Sequence, residues 1–298
     1  MANNLAKYAL TAGLLGVLLS CAPRKDLVDL TLKECQQNYK KPELNSGEKI
    51  RFNYNMTVPA KVNGKLANLA FDTGNPGHII LDSAYAESIG INVSDSIGKI
   101  KIGRVNNLKV GGVELGDIAV VIRPWYHDGS LGMDLLKRIN WTIDLNDSTI
   151  TFYNKNTPLP KEKTKDTLTI SANTDKGYLV IDASLGNHEQ GKWIVDLAHR
   201  GISLDTKLMN ENNLKEYNCK PTSLVTVGGL RSNYTCNNLP QLKVRGRTLL
   251  DDIGFGGVAD FSPFETHLKE TIQGQLGVGI FKDYKYISFS GDKLIIQK

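Results

Sequence analysis

Asp72 closes an apolar run. The segment Leu69–Asp82 reads L-A-F-D-T-G-N-P-G-H-I-I-L-D: three apolar residues, a carboxylate, then Thr and Gly. A half-exposed strand alternates apolar and polar residues, so an acid in this place needs a reason and a partner. The segment Trp193–Asp205, W-I-V-D-L-A-H-R-G-I-S-L-D, repeats the pattern with one gap and sets Asp196 where the first segment has Asp72. Two carboxylates brought within a few ångströms cannot both ionise, so they share a proton and titrate as a pair. The ionised member then serves a water as general base, while the protonated member donates a hydrogen bond to a carbonyl and stabilises the charge developing on it. Asp182, in L-V-I-D-A-S-L-G, also follows apolar residues, but the downstream agreement of I-I-L-D with I-S-L-D favours Asp196.

A pair of this kind needs two similar elements to carry it, and the chain repeats itself. Ser130–Trp141, S-L-G-M-D-L-L-K-R-I-N-W, lines up without a gap on Gln275–Tyr286, Q-L-G-V-G-I-F-K-D-Y-K-Y. Leu108–Asp117, L-K-V-G-G-V-E-L-G-D, matches Leu242–Asp251, L-K-V-R-G-R-T-L-L-D. Three matched blocks in one order, at a period too long for a solenoid, predict two homologous lobes. Thr157–Lys165, with two prolines and three lysines, reads as the linker between them. The expected division is a leader over 1–20, a tether over 21–48, lobe one over 49–157 and lobe two over 158–298. Within the lobes I-R-F-N-Y-N-M-T-V, D-I-A-V-V-I and S-T-I-T-F-Y read as strands. Short helices are expected at Ser83–Ile89, Met133–Ile139 and Thr206–Tyr217. The fold class is mainly β, with two barrel-like lobes about a cleft.

The D-T-G after apolar residues, the apolar-Leu-Gly segment some sixty residues on, and a second lobe repeating both resemble the aspartic peptidases of the pepsin and retropepsin clan, in a bacterial lipoprotein form. The resemblance runs from about Ile50 to the carboxyl terminus. It implies an endopeptidase in which Asp72 and Asp196 are the catalytic pair, with no cofactor and no metal. It further implies that Thr73 reaches across to the opposite loop, that Gly74 permits close approach of the lobes, and that Leu131-Gly132 and Leu276-Gly277 pack around the active loops. The substrate is expected to be an extended peptide bound by strand addition under a hairpin flap. Candidate flaps are Ile97–Lys109 and the Val225–Tyr234 hairpin, with Tyr234 as a possible flap aromatic. A second lobe in the same chain makes a dimer-built site unnecessary, so a monomer is expected.

Lobe two departs from the pattern. It reads D-L-A rather than D-T-G: Leu197 lacks a hydroxyl, which removes half of the cross-lobe grip, and Ala198 adds a methyl that would be strained at positive φ. Asn75 and His199 occupy the next positions, and both can hydrogen-bond a carboxylate. These departures support an alternative in which the fold persists as a peptide-binding or scaffolding lipoprotein without turnover.

The chain of 298 residues is 41% hydrophobic and 22% charged with a net charge of +5, which fits a globular protein. Its basic residues form no block interleaved with aromatics, so nucleic acid is not an expected partner. No G-x-S-x-G elbow, P-loop or H-E-x-x-H spacing occurs. Gly254, Gly256 and Gly257 make no phosphate-binding pattern and read as bulges or turns. Lys7 and the apolar Ala9–Leu19 form an export signal too short to span a bilayer. Its end, L-L-S-C at Leu18–Cys21, resembles a lipobox, which implies cleavage before Cys21 and acylation (palmitate) of that cysteine. Ala22 is compatible with sorting to the outer membrane or cell surface rather than the inner membrane. Cys219 and Cys236 flank V-T-V-G-G-L-R-S, a hairpin turning at Gly228 and Gly229, which brings them within reach of a disulfide. Cys35 is left single.

Overall fold

The structure, a computed structural model, describes residues 43–44, 47–53, 55–77, 79–97, 100–155, 159, 166–225, 231–251, 253 and 256–298. The leader, Cys21, Ala22, Cys35, most of the linker, and the turn at Gly228 and Gly229 lie outside these residues, as does Gly254. Among the described residues no helix is long and apolar enough to cross a membrane.

The described residues form three sheets. One of eight strands lies entirely within residues 43–131, and one of nine within residues 180–277. The third, of six strands, takes Lys49–Arg51, Asn140–Asp144 and Thr149–Tyr153 from the first half and Thr167–Ser171, Tyr286–Ser290 and Lys293–Gln297 from the second. It joins the halves where Trp141 pairs with Phe289 in antiparallel register. Their rings stack at 5.5 Å, and Phe71 meets Trp141 edge-on at 5.0 Å. Edge-to-face and stacked aromatic pairs of this kind hold geometry as well as area.

Four strands in each half position Asp72 and Asp196, and the two sets have the same connectivity. In lobe one they are β1 (Lys65–Phe71), β2 (Ile79–Asp82), β3 (Val113–Arg123) and β4 (Gly129–Leu131). In lobe two they are β5 (Gly191–Asp196), β6 (Ile202–Asp205), β7 (Gly256–Ala259) and β8 (Ile272–Gly277). β1 runs parallel to β4 and β5 parallel to β8, so Phe71 sits beside Leu131 and Asp196 beside Gly277. β2 lies antiparallel to β4 and parallel to β3; β6 lies antiparallel to β8 and parallel to β7. The caps repeat as well. Asp82 accepts from the backbone N–H of Ala84, Tyr85 and Trp125, and Asp205 accepts from Lys207 and Phe261. The matched L-K-V blocks end in the same turn: Gly111 and Gly112 have φ of 50° and 78°, Arg245 and Gly246 have 52° and 75°. Arg245 holds a left-handed conformation disfavoured for a side chain because the hairpin demands it.

Several expectations need correction. I-R-F-N-Y-N-M-T-V is two strands, Lys49–Arg51 and Thr57–Val62. Asn53 Oδ1 accepts from Asn55 and Thr57 N–H and Met56 takes φ of 53°, which turns the chain between them. The stretch Thr206–Tyr217 is a 3-10 turn, Thr206–Leu208, followed by a helix, Glu211–Glu216, with Asn210 capping the second by accepting from Asn213 N–H. A helix at Ser262–Leu268, with Pro263 in its first turn, was not expected. Gly256 and Gly257 lie within β7 rather than in a turn, where a side chain on Gly256 would collide with Leu239 and Ile202.

Candidate active site

β1 and β5 deliver Asp72 and Asp196. The outer residues of β1 alternate between solvent and core, and the last three, Leu69, Ala70 and Phe71, are all buried. This burial carries the carboxylate that follows them inward, leaving Asp72 only 6% exposed. Leu131 O accepts from Asp72 N–H at 3.0 Å, and Asp72 Oδ1 accepts from Gly74 N–H at 3.0 Å. In lobe two Asp196 Oδ1 accepts from Ala198 N–H at 3.0 Å and His199 N–H at 3.2 Å.

The lobes meet at these loops. Thr73, fully buried, donates its hydroxyl to Val195 O at 2.7 Å and accepts from Leu197 N–H at 2.9 Å. One threonine therefore satisfies a carbonyl and an amide of the opposite loop at once. A Cβ added to Gly74 would run into Cγ and Oδ2 of Asp196, so the residue that holds Asp72 Oδ1 also lies directly against Asp196. Leu197 is fully buried and belongs to the hydrophobic core, which is what its side chain does in place of a hydroxyl. Ala198 is not among the residues at positive φ. The strain expected of its methyl at positive φ is therefore absent.

The Leu-Gly segments close against the loops from behind. Met133 N–H donates to Asn75 O at 2.7 Å, and its counterpart Val278 N–H donates to His199 O at 2.8 Å. Gly132 and Gly277 stand so near Gly77 O, Gly201 O and His199 O that neither has room for a side chain. Asn75 Nδ2 donates to Ser130 Oγ at 3.0 Å rather than to Asp72. The His199 ring lies 3.4 Å from Ser203 Oγ through Nε2 and acts electrostatically on Asp196.

Both carboxyls are pushed above the ordinary carboxylate range. For Asp72 the causes are burial first and the neighbouring Asp196 second, offset in part by Gly74 N–H, Arg123 and Asn75 N–H, and the result lies well above the usual value. For Asp196 burial is again the main cause; His199, the Ala198 and His199 amides, and the Gln275 side chain pull it back. Two buried carboxyls raised in this way titrate as a coupled pair. Gln275 Nε2 donates directly to Asp196 Oδ2.

Three participants had not been singled out in the sequence. Gln275 was visible only as the residue standing where the first S-L-G block has Ser130. Arg123 ends the apolar run of β3, an unpaired charge after apolar residues, which is the same signal that marked Asp72. Tyr178, buried in the bend before the strand Val180–Leu185, gave no signal; burial first, then Asp72 and Asp196, raises its hydroxyl above the ordinary range. Asp182 is elsewhere, paired with Lys192 Nζ at 2.9 Å on the hairpin preceding Asp196. The candidate flaps are hairpins: Ile100–Val110 pairs with Val93–Ile97, and Lys220–Val225 pairs with Arg231–Cys236, whose turns are outside the described residues. The second is clamped by the Cys219–Cys236 disulfide. Among the described residues no group of three or more His, Cys, Asp and Glu is placed to hold a metal.

Residues 58–135 match the family model of the aspartyl proteases. No curated protein matches the chain. Among solved structures, an aspartic proteinase from Irpex lacteus superposes with a TM-score of 0.55 at 11% identity, over 85% of this chain and 97% of that one. A retropepsin-like aspartic protease from Rickettsia conorii matches 46% of this chain and 95% of its own, at 20% identity and a TM-score of 0.30. The family match lies within lobe one, and across both lobes the chain shares the fold of the Irpex lacteus aspartic proteinase.

Proposed function

We propose that the protein is an aspartic endopeptidase in which Asp196 is the ionised base and Asp72 carries the shared proton. The observation that carries this reading is the seam itself: Thr73 ties the Asp72 loop to Val195 and Leu197, and Gly74 brings that loop against Asp196. A water between the carboxyls gives a proton to Asp196 while its oxygen bonds to the scissile carbonyl carbon. The Asp72 proton passes to the carbonyl oxygen, leaving a neutral diol. On collapse the C–N bond breaks, the leaving amine takes the proton from Asp196, and the diol returns one to Asp72. Each step moves a proton over one hydrogen bond, as general acid–base catalysis requires.

The test is hydrolysis of an unfolded protein substrate by the full chain across acid to neutral pH. Asp72→Asn and Asp196→Asn should each reduce turnover at least about a thousandfold, with folding checked by thermal melting. Absence of turnover in the unaltered chain, with a hydroxyl-containing peptide isostere bound no more tightly than the same peptide without the hydroxyl, would favour the scaffolding alternative that Leu197 and Ala198 suggest.

The same proposal has the chain exported and held by an acylated Cys21 at the outer membrane or cell surface, acting as a monomer on peptides without a cofactor. The lipobox-like L-L-S-C supports the anchor, since acylation gives attachment without a spanning helix. Replacing Cys21 with Ala should release the protein from the membrane fraction.

A further inference from the structure

Arg123 is the charged residue of the site that the proton transfers above do not use. It ends β3, where Asp82 of β2 stands beside it in parallel register. In lobe two the same relation holds between Asp205 and Ala259. Fold symmetry therefore sets a guanidinium in one lobe against a methyl in the other, so the scaffold does not require the charge. Its orientation is fixed. The guanidinium carbon lies 4.6 Å from the centroid of the Trp125 ring, a cation–π contact, and the Trp125 N–H is anchored to Asp82 Oδ2 at 2.9 Å. Its electrostatic neighbours are Asp72 and, from the opposite lobe, the Tyr178 hydroxyl. Arg123 thus faces the seam beside the reacting carboxyls, with side chains of both lobes around it.

The guanidinium is also incompletely satisfied. Its Nε is buried and has no hydrogen-bond partner among the described residues. Buried donors are rarely left this way unless something else fills them. Asp72 is the carboxyl nearest this charge, and burial together with the neighbouring Asp196 disfavours its ionised form. A cation with an open donor beside a scissile-bond site calls for an anion of planar, bidentate geometry, which is a carboxylate.

We infer that Arg123 is a specificity-determining residue that receives the side-chain carboxylate of an Asp or Glu adjoining the scissile bond. This rests on the proposed function's placement of the scissile bond at Asp72 and Asp196. A site built to pair a charged group rejects the neutral isostere, whose arrival leaves the buried donor unfilled.

Hydroxyl-containing peptide isosteres carrying Glu or Gln on either side of the hydroxyl provide the test, with binding to the full chain measured at about pH 6, where the free Glu is ionised. The Glu peptide should bind at least about tenfold more tightly than the Gln peptide at one of the two positions. Arg123→Met should bring that ratio to about one, and Arg123→Lys, which keeps the charge without the fork, should retain part of it. Equal binding of Glu and Gln peptides by the unaltered chain, or a preference that survives in Arg123→Met, overturns the assignment, as does failure to bind either. The peptide-hydrolysis assay separates the two claims. Cleavage without acidic preference removes the Arg123 subsite alone, whereas a Glu preference in binding without cleavage removes the enzyme and keeps the subsite.

Discussion

The two aspartate loops occupy equivalent places in equivalent lobes yet share little chemistry. Lobe one supplies the hydroxyl, the small residue and the cation: Thr73, Gly74 and Arg123. Lobe two puts Leu197, Ala198 and Ala259 at those positions. In return it supplies Gln275, a donor to Asp196 where lobe one has Ser130, and His199 beside the same carboxyl. A site drawn from a duplicated scaffold need only be complete once. A single Thr73 hydroxyl donates to Val195 O and accepts from Leu197 N–H, so Leu197 is released to fill the core. The asymmetry also gives the carboxyls different surroundings, with Arg123 near Asp72 and with His199 and Gln275 near Asp196.

This division can be broken from several directions. Among changes to residues around the aspartates, Gly74→Ala should have the largest effect on catalysis, because its methyl must displace Asp196; the expected loss in kcat is about a hundredfold, as for a misplacement of about an ångström. A steady-state rate near that of the unaltered chain would show that the loops are not packed as described. Thr73→Val leaves Val195 O and Leu197 N–H buried and unpaired, at a cost of about 1–3 kcal/mol for each, whereas Thr73→Ser should recover most of the stability in denaturant titrations. Leu197→Thr sharpens the contrast. If the leucine is a core residue, the substitution destabilises by about 2 kcal/mol despite restoring the family's hydroxyl; a gain in stability would show instead that the missing grip is a defect. The smallest effect belongs to Gln275→Leu. Gln275 holds Asp196 toward its ionised form, so its loss raises that carboxyl further and moves the acid limb of the pH–rate profile to higher pH. An unmoved acid limb, measured on kcat/KM, would take Gln275 out of the base's environment.

Parts of this arrangement were legible from the chain. The acid after apolar residues, repeated with I-I-L-D and I-S-L-D behind it, marked both Asp72 and Asp196, because a strand that buries its last residues must carry the next one inward. The Cys219–Cys236 bridge followed from hairpin spacing alone. Other parts were not legible. The reading of Ala198 as strained assumed that the second loop copies a positive φ, and neither Gly74 nor Ala198 has one; the glycine is needed for proximity to Asp196 instead. Gln275 and Arg123 lie far from the D-T-G and D-L-A motifs in sequence and reach the site only through sheet pairing, while Tyr178 lies in the bend that precedes the strand Val180–Leu185. Arg123 is the instructive case, since its register beside Asp82 is a property of β2 and β3 together and of neither alone.

The order of apolar runs, turns and matched blocks specified by itself that this chain builds two similar β lobes with an acid at the end of one strand in each. Those features are local, written in periodicity and in residues that favour particular turns. Which side chains surround the acids was decided only by tertiary structure, because β1 and β5 come from opposite halves of the chain and meet where Thr73 crosses the seam. Electrostatic and hydrogen-bonding effects depend on distance and burial in space, and positions along the chain carry neither.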